Sequence, residues 1–229
     1  MTTGPAPYQV ITVPTGKPWN ENSYVVRHVP SGAQLVIDPG GAAEQIEQAV
    51  LAGGGRLTGI YLTHAHHDHV GAVTALTQRF GVVGRLHQAD GRLLRHAPMY
   101  ALRFAGRHLE PVENCQAYAL PAKFSLGGQP VRILHTPGHT PGSVCYWLDG
   151  YAFTGDTLFY EHVGRTDLPG GDADQLTASV GGLLELLPAE TLLLPGHGQA
   201  WTVAEARRWW ASVEAPPPYK VFAKSDADE

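Results

Sequence analysis

Apolar and polar positions alternate with a period of two over residues 8–13, 23–28 and 34–37, which predicts three strands. Proline and glycine interrupt the pattern at 14–18 and 30–32, where turns are expected. A helix is expected over 42–52, closed by Gly53-Gly54-Gly55. A strand over 56–62, a helix over 70–80 ended by Gly81, and a strand over 82–86 follow. Further strands are predicted at 116–120, 130–134, 143–148, 151–153 and 191–194, with Asp149-Gly150 as a hairpin turn. Residues 172–187 read as a helix with Asp172 and Gln175 as a capping pair, and Thr202 with Glu205 caps a last helix through Trp210. Strands and helices interleave without an internal repeat, which gives a mixed α/β class.

The stretch 90–113 is less regular. Leu93, Leu94, Ala97, Tyr100, Ala101 and Phe104 recur at helical spacing, with an interruption expected at Pro98. Arg92, Arg95, Arg103 and Arg107 flank them. Two readings stand: a lid insertion that helps hold an anionic substrate, or an amphipathic segment with a solvated basic face. Residues 1–214 are expected to form one domain, and 215–229, with Pro216-Pro217-Pro218 and an acidic end, a tail.

Composition narrows the function classes. Of 229 residues, 43% are hydrophobic, enough for a core, and the net charge is −5, which argues against nucleic-acid binding by a basic surface. No apolar stretch approaches a membrane span, and no charged-then-apolar leader is recognisable. Cys115 and Cys145 make no disulfide framework, so a reduced cytoplasm is the expected compartment, and Cys145 reads as a core residue. The oligomeric state is left open, since Trp201, Trp209 and Trp210 suit either a core or an interface.

The chemistry is concentrated in Thr63-His64-Ala65-His66-His67-Asp68-His69, directly after an apolar run. Imidazole and carboxylate are ligands for borderline and hard divalent metals. In an extended segment His64 and His66 point the same way, and Asp68 and His69 follow where the chain must turn. One loop can thus feed two adjacent metal positions. Downstream, His139 lies in Thr136-Pro137-Gly138-His139-Thr140, Asp156 in Thr154-Gly155-Asp156-Thr157 and His197 in Pro195-Gly196-His197-Gly198. Each follows a strand-like run and sits in a glycine or proline turn, where a sheet edge presents ligands from rigid support. His67 is expected beside the ligands or facing solvent. His28, His87, His96, His108, His135 and His162 lack ligand spacing, and Asp38 reads as a hydrogen-bonding support for the metal loop.

This series, together with Val36-Ile37-Asp38-Pro39-Gly40-Gly41, resembles the metallo-β-lactamase fold superfamily from about Asn22 to Gly198. Within it, Thr136 to Ser143 and Gly155-Asp156-Thr157-Leu158-Phe159 look most like glyoxalase II, the hydroxyacylglutathione hydrolases. Gly164-Arg165-Thr166-Asp167 resembles both the compact glyoxalase II-like hydrolases and the persulfide dioxygenases. The resemblance implies a four-layer αββα sandwich. It also implies two divalent metals, zinc first, with iron and manganese as alternatives. His64, His66 and His139 would hold the first metal, Asp68, His69 and His197 the second, and Asp156 would bridge them. The implied activity is hydrolysis of a small-molecule thioester by a metal-bound hydroxide, with Asp68 orienting the hydroxide or shuttling its proton. Arg165 stands where glyoxalase II-like sequences place a basic residue that holds a carboxylate of the thiol carrier. The position two residues on, commonly aromatic, is Asp167 here, so the alternative is an Arg165–Asp167 pair that merely fixes a turn. Only 31 residues follow Gly198, too few for the C-terminal helical domain of long glyoxalase II enzymes, which leaves the carrier open.

The competing readings are a mononuclear iron persulfide dioxygenase using His66 or its neighbours with His139 and Asp156, another hydrolase such as a lactonase or phosphodiesterase, and a metal-dependent binding module. True β-lactamases usually lack the bridging aspartate.

Overall fold

The computed structural model describes residues 7–15 and 20–214. The elements run β1 (Tyr8–Pro14), β2 (Asn22–His28), β3 (Ala33–Ile37), α1 (Ala43–Ala52), β4 (Arg56–Tyr61), α2 (His67–Val70), α3 (Val73–Phe80), β5 (Gly84–His87), α4 (Gly91–Ala105), β6 (Cys115–Tyr118) and β7 (Phe124–Leu126). They continue as β8 (Gln129–His135), β9 (Val144–Leu148), β10 (Tyr151–Gly155), β11 (Leu158–Phe159), β12 (His162–Val163), α5 (Ala173–Leu186), β13 (Leu192–Pro195), β14 (Trp201–Thr202) and α6 (Val203–Trp210). One six-stranded sheet has the order β1-β2-β3-β4-β5-β6, and a second β14-β13-β10-β9-β8-β7.

Period-two patterning sorts the strand residues into three cores. In β2 and β3, Val25 and Val36 face Ile46, Val50, Val73 and Leu76 of the helices over the first sheet. Their neighbours Tyr24, Val26, Leu35 and Ile37 face the other way, against Val144, Tyr146, Leu148 and Phe153 of the second sheet. Cys145 and Ala152 in turn face Leu176, Val180, Leu183 and Ala206 of α5 and α6. Three cores between four layers make the αββα sandwich, and each fully buried aliphatic side chain contributes roughly 1.5–3 kcal/mol to holding it. Cys145 is a core residue, its thiol pushed up to about 11 by burial.

Both expected helix caps form. Asp172 accepts from Gln175 N at 2.9 Å, and Thr202 and Glu205 make a reciprocal capping box. Two expectations are corrected. The helix foreseen over 70–80 is divided into α2 and α3, because the metal-loop residues His67–Val70 already form a helical turn. Pro98 does not interrupt its segment: α4 runs through it, with Ala97 and Ala101 buried and Leu93 and Leu94 packed on the first core. That burial outweighs the loss of one helix hydrogen bond at proline. Gln88–Asp90 forms a turn of 3-10 helix leading into α4. The turn foreseen at 14–18 and the tail from 215 lie wholly or partly outside the described residues. Among the described residues no helix is long and apolar enough to cross a membrane.

Candidate metal centre

Four connections converge at one end of the sandwich: the loop after β4, the β8–β9 turn, the residues after β10 and those after β13. β4 runs parallel to β3 and β5, and β10 parallel to β13, so their loops emerge on a common edge. Asn22 straps the last loop across the two sheets, donating from Nδ2 to Pro195 O at 3.1 Å and Gly198 O at 2.9 Å, and Tyr24 Oη donates to Pro195 O at 2.6 Å. Glycine is required where the loops crowd: a Cβ on Gly196 would collide with Asp156 Oδ1 and His69 Cε1, and one on Gly164 with Asp156 O.

All seven expected ligand residues meet there. His64, His66 and His139 form one group with ligand atoms within 4.8 Å of one another, and Asp68, His69 and His197 form another. Asp156 lies between the groups. Its Oδ2 is 3.5 Å from His139 Nε2 and 4.0 Å from His64 Nε2, whereas its Oδ1 is 3.2 Å from His69 Nε2 and 3.8 Å from His197 Nε2. One carboxylate thus turns one oxygen to each group. Asp68 Oδ2 is 3.4 Å from His197 Nε2.

The profile of the metallo-beta-lactamase superfamily matches residues 16–197. The chain belongs to the metallo-beta-lactamase superfamily. It is 36% identical over 183 residues to the hydroxyacylglutathione hydrolase GloC of Haemophilus influenzae, covering 76% of this chain and 84% of that one. Among solved structures, TTHA1623 in a di-iron-bound form is 36% identical with a TM-score of 0.78, over 89% of this chain and 100% of that one. The BLEG-1 B3 metallo-beta-lactamase is 33% identical with a TM-score of 0.79, over 87% and 97%.

The donor set of this superfamily member suits divalent ions. Imidazole nitrogens and carboxylate oxygens are ligands for zinc, iron and manganese alike. His64 Nε2 is buried without a hydrogen-bond partner, a costly arrangement that a bound cation would relieve. Burial, the largest cause at each, lowers the pKa of His64, His66 and His139, so this group presents neutral rings with lone pairs. At His69 and His197 burial acts in the same sense, but the carboxylates, Asp156 foremost, outweigh it and raise the pKa. At Asp68 and Asp156 burial acts upward, yet the surrounding histidines outweigh it and keep both carboxyls well down.

A buried carboxylate supports each group from behind. Asp38 accepts from Thr63 N at 2.7 Å, from Thr63 Oγ1, and from His69 Nδ1 at 3.1 Å, which turns His69 Nε2 into the site. Asp38 also lies close enough to His64 and His69 to count as a ligand group. Its oxygens are already committed to these donors, in keeping with the support role expected of it. Asp90 serves the other group. Its Oδ2 accepts from Ala65 N at 3.1 Å and Thr140 Oγ1 at 2.8 Å, and its Oδ1 from Gly142 N at 2.7 Å. Ala65 lies between His64 and His66, and Thr140 follows His139. Burial pushes the Asp90 carboxyl up, against these three bonds. Sequence reasoning passed over Asp90, and also Glu21. The latter is fully buried with Oε1 3.9 Å from His69 Nδ1, and burial raises its pKa well above the usual carboxylate range. Neither belongs to a motif; each acquires its place through contacts distant in sequence.

His67 lies mostly buried between the groups and solvent, its Nδ1 3.7 Å from Asp68 Oδ1. Arg165 O accepts from His139 Nδ1 at 2.8 Å, which leaves His139 Nε2 to face the site. The Arg165 guanidinium is held by Asp167, with Nε to Oδ1 and Nη2 to Oδ2 both at 2.7 Å.

Proposed function

We propose that this chain is a binuclear metal-dependent hydrolase that cleaves a thioester, in the manner of glyoxalase II. The observation that carries the reading is Asp156, whose two oxygens address two separate ligand groups. His64, His66 and His139 would hold one ion, Asp68, His69 and His197 the other, and Asp156 both. Two divalent ions set against two carboxylates leave a formal charge of about +2, which acidifies water and polarises a carbonyl as a Lewis acid.

The chain's own residues then set the geometry. Asp38 fixes the His69 ring, and Asp90 holds the two loops that carry His64, His66 and His139, so that the ligand atoms converge before substrate arrives. Asp68, held ionised beside His197, would orient the nucleophilic water or hydroxide or shuttle its proton. A thioester suits this machinery because its leaving thiolate, with a thiol pKa of about 8.5, departs without a dedicated acid. The guanidinium of Arg165 reads a carboxylate of the thiol carrier, in competition with Asp167. Likeness to GloC supports the thioester; likeness to the BLEG-1 lactamase raises a β-lactam as a rival substrate, against which stands Asp156, since true β-lactamases usually lack the bridging aspartate.

The test is reconstitution with zinc or iron, followed by elemental analysis and parallel assays with S-lactoylglutathione and a β-lactam. Two metal equivalents with thioester turnover are expected. A plateau at one equivalent with full activity, or turnover of the lactam alone, would overturn the reading.

A further inference from the structure

Beside the first ligand group lies a narrow cleft whose wall is apolar. Leu93, Tyr100 and Phe104 of α4 form one side, Leu168-Pro169 the other, and His66 and His67 the floor. Leu93, Tyr100 and Phe104 are spaced by seven and four, so they share one helix face. The rings of Tyr100 and Phe104 stack at 5.8 Å with 12° between their planes. Apart from the floor imidazoles, no lining residue carries charge. The start of α4 is tied to the site: Asp90, the residue before it, is bonded to both loops that carry the first ligand group.

We propose that this cleft binds an apolar group of the substrate, a methyl or short alkyl chain, next to the bond that is cleaved. This rests on the thioester reading. The floor decides the placement, because His66 is one of the first group's three histidines. A group seated on it is only a few bonds from a carbonyl held at that position. The wall decides the chemistry, since burying a hydroxyl or charge against Leu93, Phe104 and Leu168 without partners is unfavourable, whereas a methylene gains. The apolar group can belong to the acyl chain or to the thiol, and the experiment separates the two.

In one arm the acyl group of a single thiol is lengthened from acetyl to butanoyl to hexanoyl. In the other, acetyl thioesters of alkyl thiols of rising length are compared. In one arm kcat/KM is expected to rise about threefold per methylene until the cleft is filled. Phe104→Ser should flatten the rise, and Leu102→Ser, on the exposed side of α4, should leave it intact. A flat series in both arms, or a rise that Phe104→Ser leaves unchanged, overturns the proposal. If no thioester is cleaved the thioester reading falls, and calorimetry of acetate and hexanoate binding to the metal-loaded protein decides the cleft. Tighter hexanoate binding that Phe104→Ser abolishes sustains it, and equal affinity removes it.

Discussion

Asp167 grips Arg165 in a two-bond fork, two residues away on the same exposed turn. The planar face that would read a substrate carboxylate already reads a protein one. Arg165→Ala is therefore expected to raise KM for an acidic thiol carrier by about tenfold, the low end for a charge-assisted contact of ~1.5–3 kcal/mol. kcat should change less, Arg165→Lys should recover part of the loss, and Asp167→Ala should lower KM. The check is a comparison of acidic and neutral carriers of one acyl group. Equal losses with both would show that Arg165 only fixes the turn.

Asp156→Ala removes the one carboxylate that addresses both ligand groups. Metal content is expected to fall from two equivalents to one at most, with turnover near background. Elemental analysis after gel filtration, paired with rate measurements, checks this. Near-native rates at full loading would refute the bridging role.

Asp90→Asn keeps the side chain's shape but sets an amide donor against a backbone donor, Ala65 N or Gly142 N. The first group, His64, His66 and His139, is expected to lose about 10–100-fold in metal affinity while the second is spared. Chelator competition on the loaded protein resolves two release steps. An equal weakening of both would mean that Asp90 serves the fold at large.

What could be read in the sequence, and what could not, divides by range. The seven convergent residues were legible because each is marked locally: His64, His66, Asp68 and His69 by their spacing within one seven-residue segment, and His139, Asp156 and His197 by a glycine turn beside each. The caps at Asp172 and Thr202 were legible for the same reason. Asp90 was not, since its partners Gly142 and Thr140 lie 52 and 50 residues away and no spacing rule links them. Pro98 misled because local propensity opposes a helix there, and only the packing of Ala97, Leu93 and Leu94 on the first core, with Ala101 also buried, reverses it. The two-residue strands β11, β12 and β14 are too short to carry any period.

The ligand groups differ in protonation before metal arrives. His69 and His197 have raised pKa values, chiefly through Asp156 working against burial, so in the metal-free protein they favour the protonated form toward neutral pH. Burial keeps His64, His66 and His139 neutral. Metal entering the second group must displace protons, so its affinity should rise with pH and loading should release protons at neutral pH. Calorimetric titration in two buffers of different protonation enthalpy reads that release. An identical heat in both buffers would contradict it.

Hydrolysis and oxygenation are separated by following thiol and oxygen together as the metal-loaded protein acts on S-lactoylglutathione and, separately, on glutathione persulfide. Stoichiometric release of thiol and acid from the thioester, with no oxygen uptake, is expected. Oxygen consumption with the persulfide and no thiol release from the thioester would contradict it, and would assign His66, His139 and Asp156 to a mononuclear iron site instead.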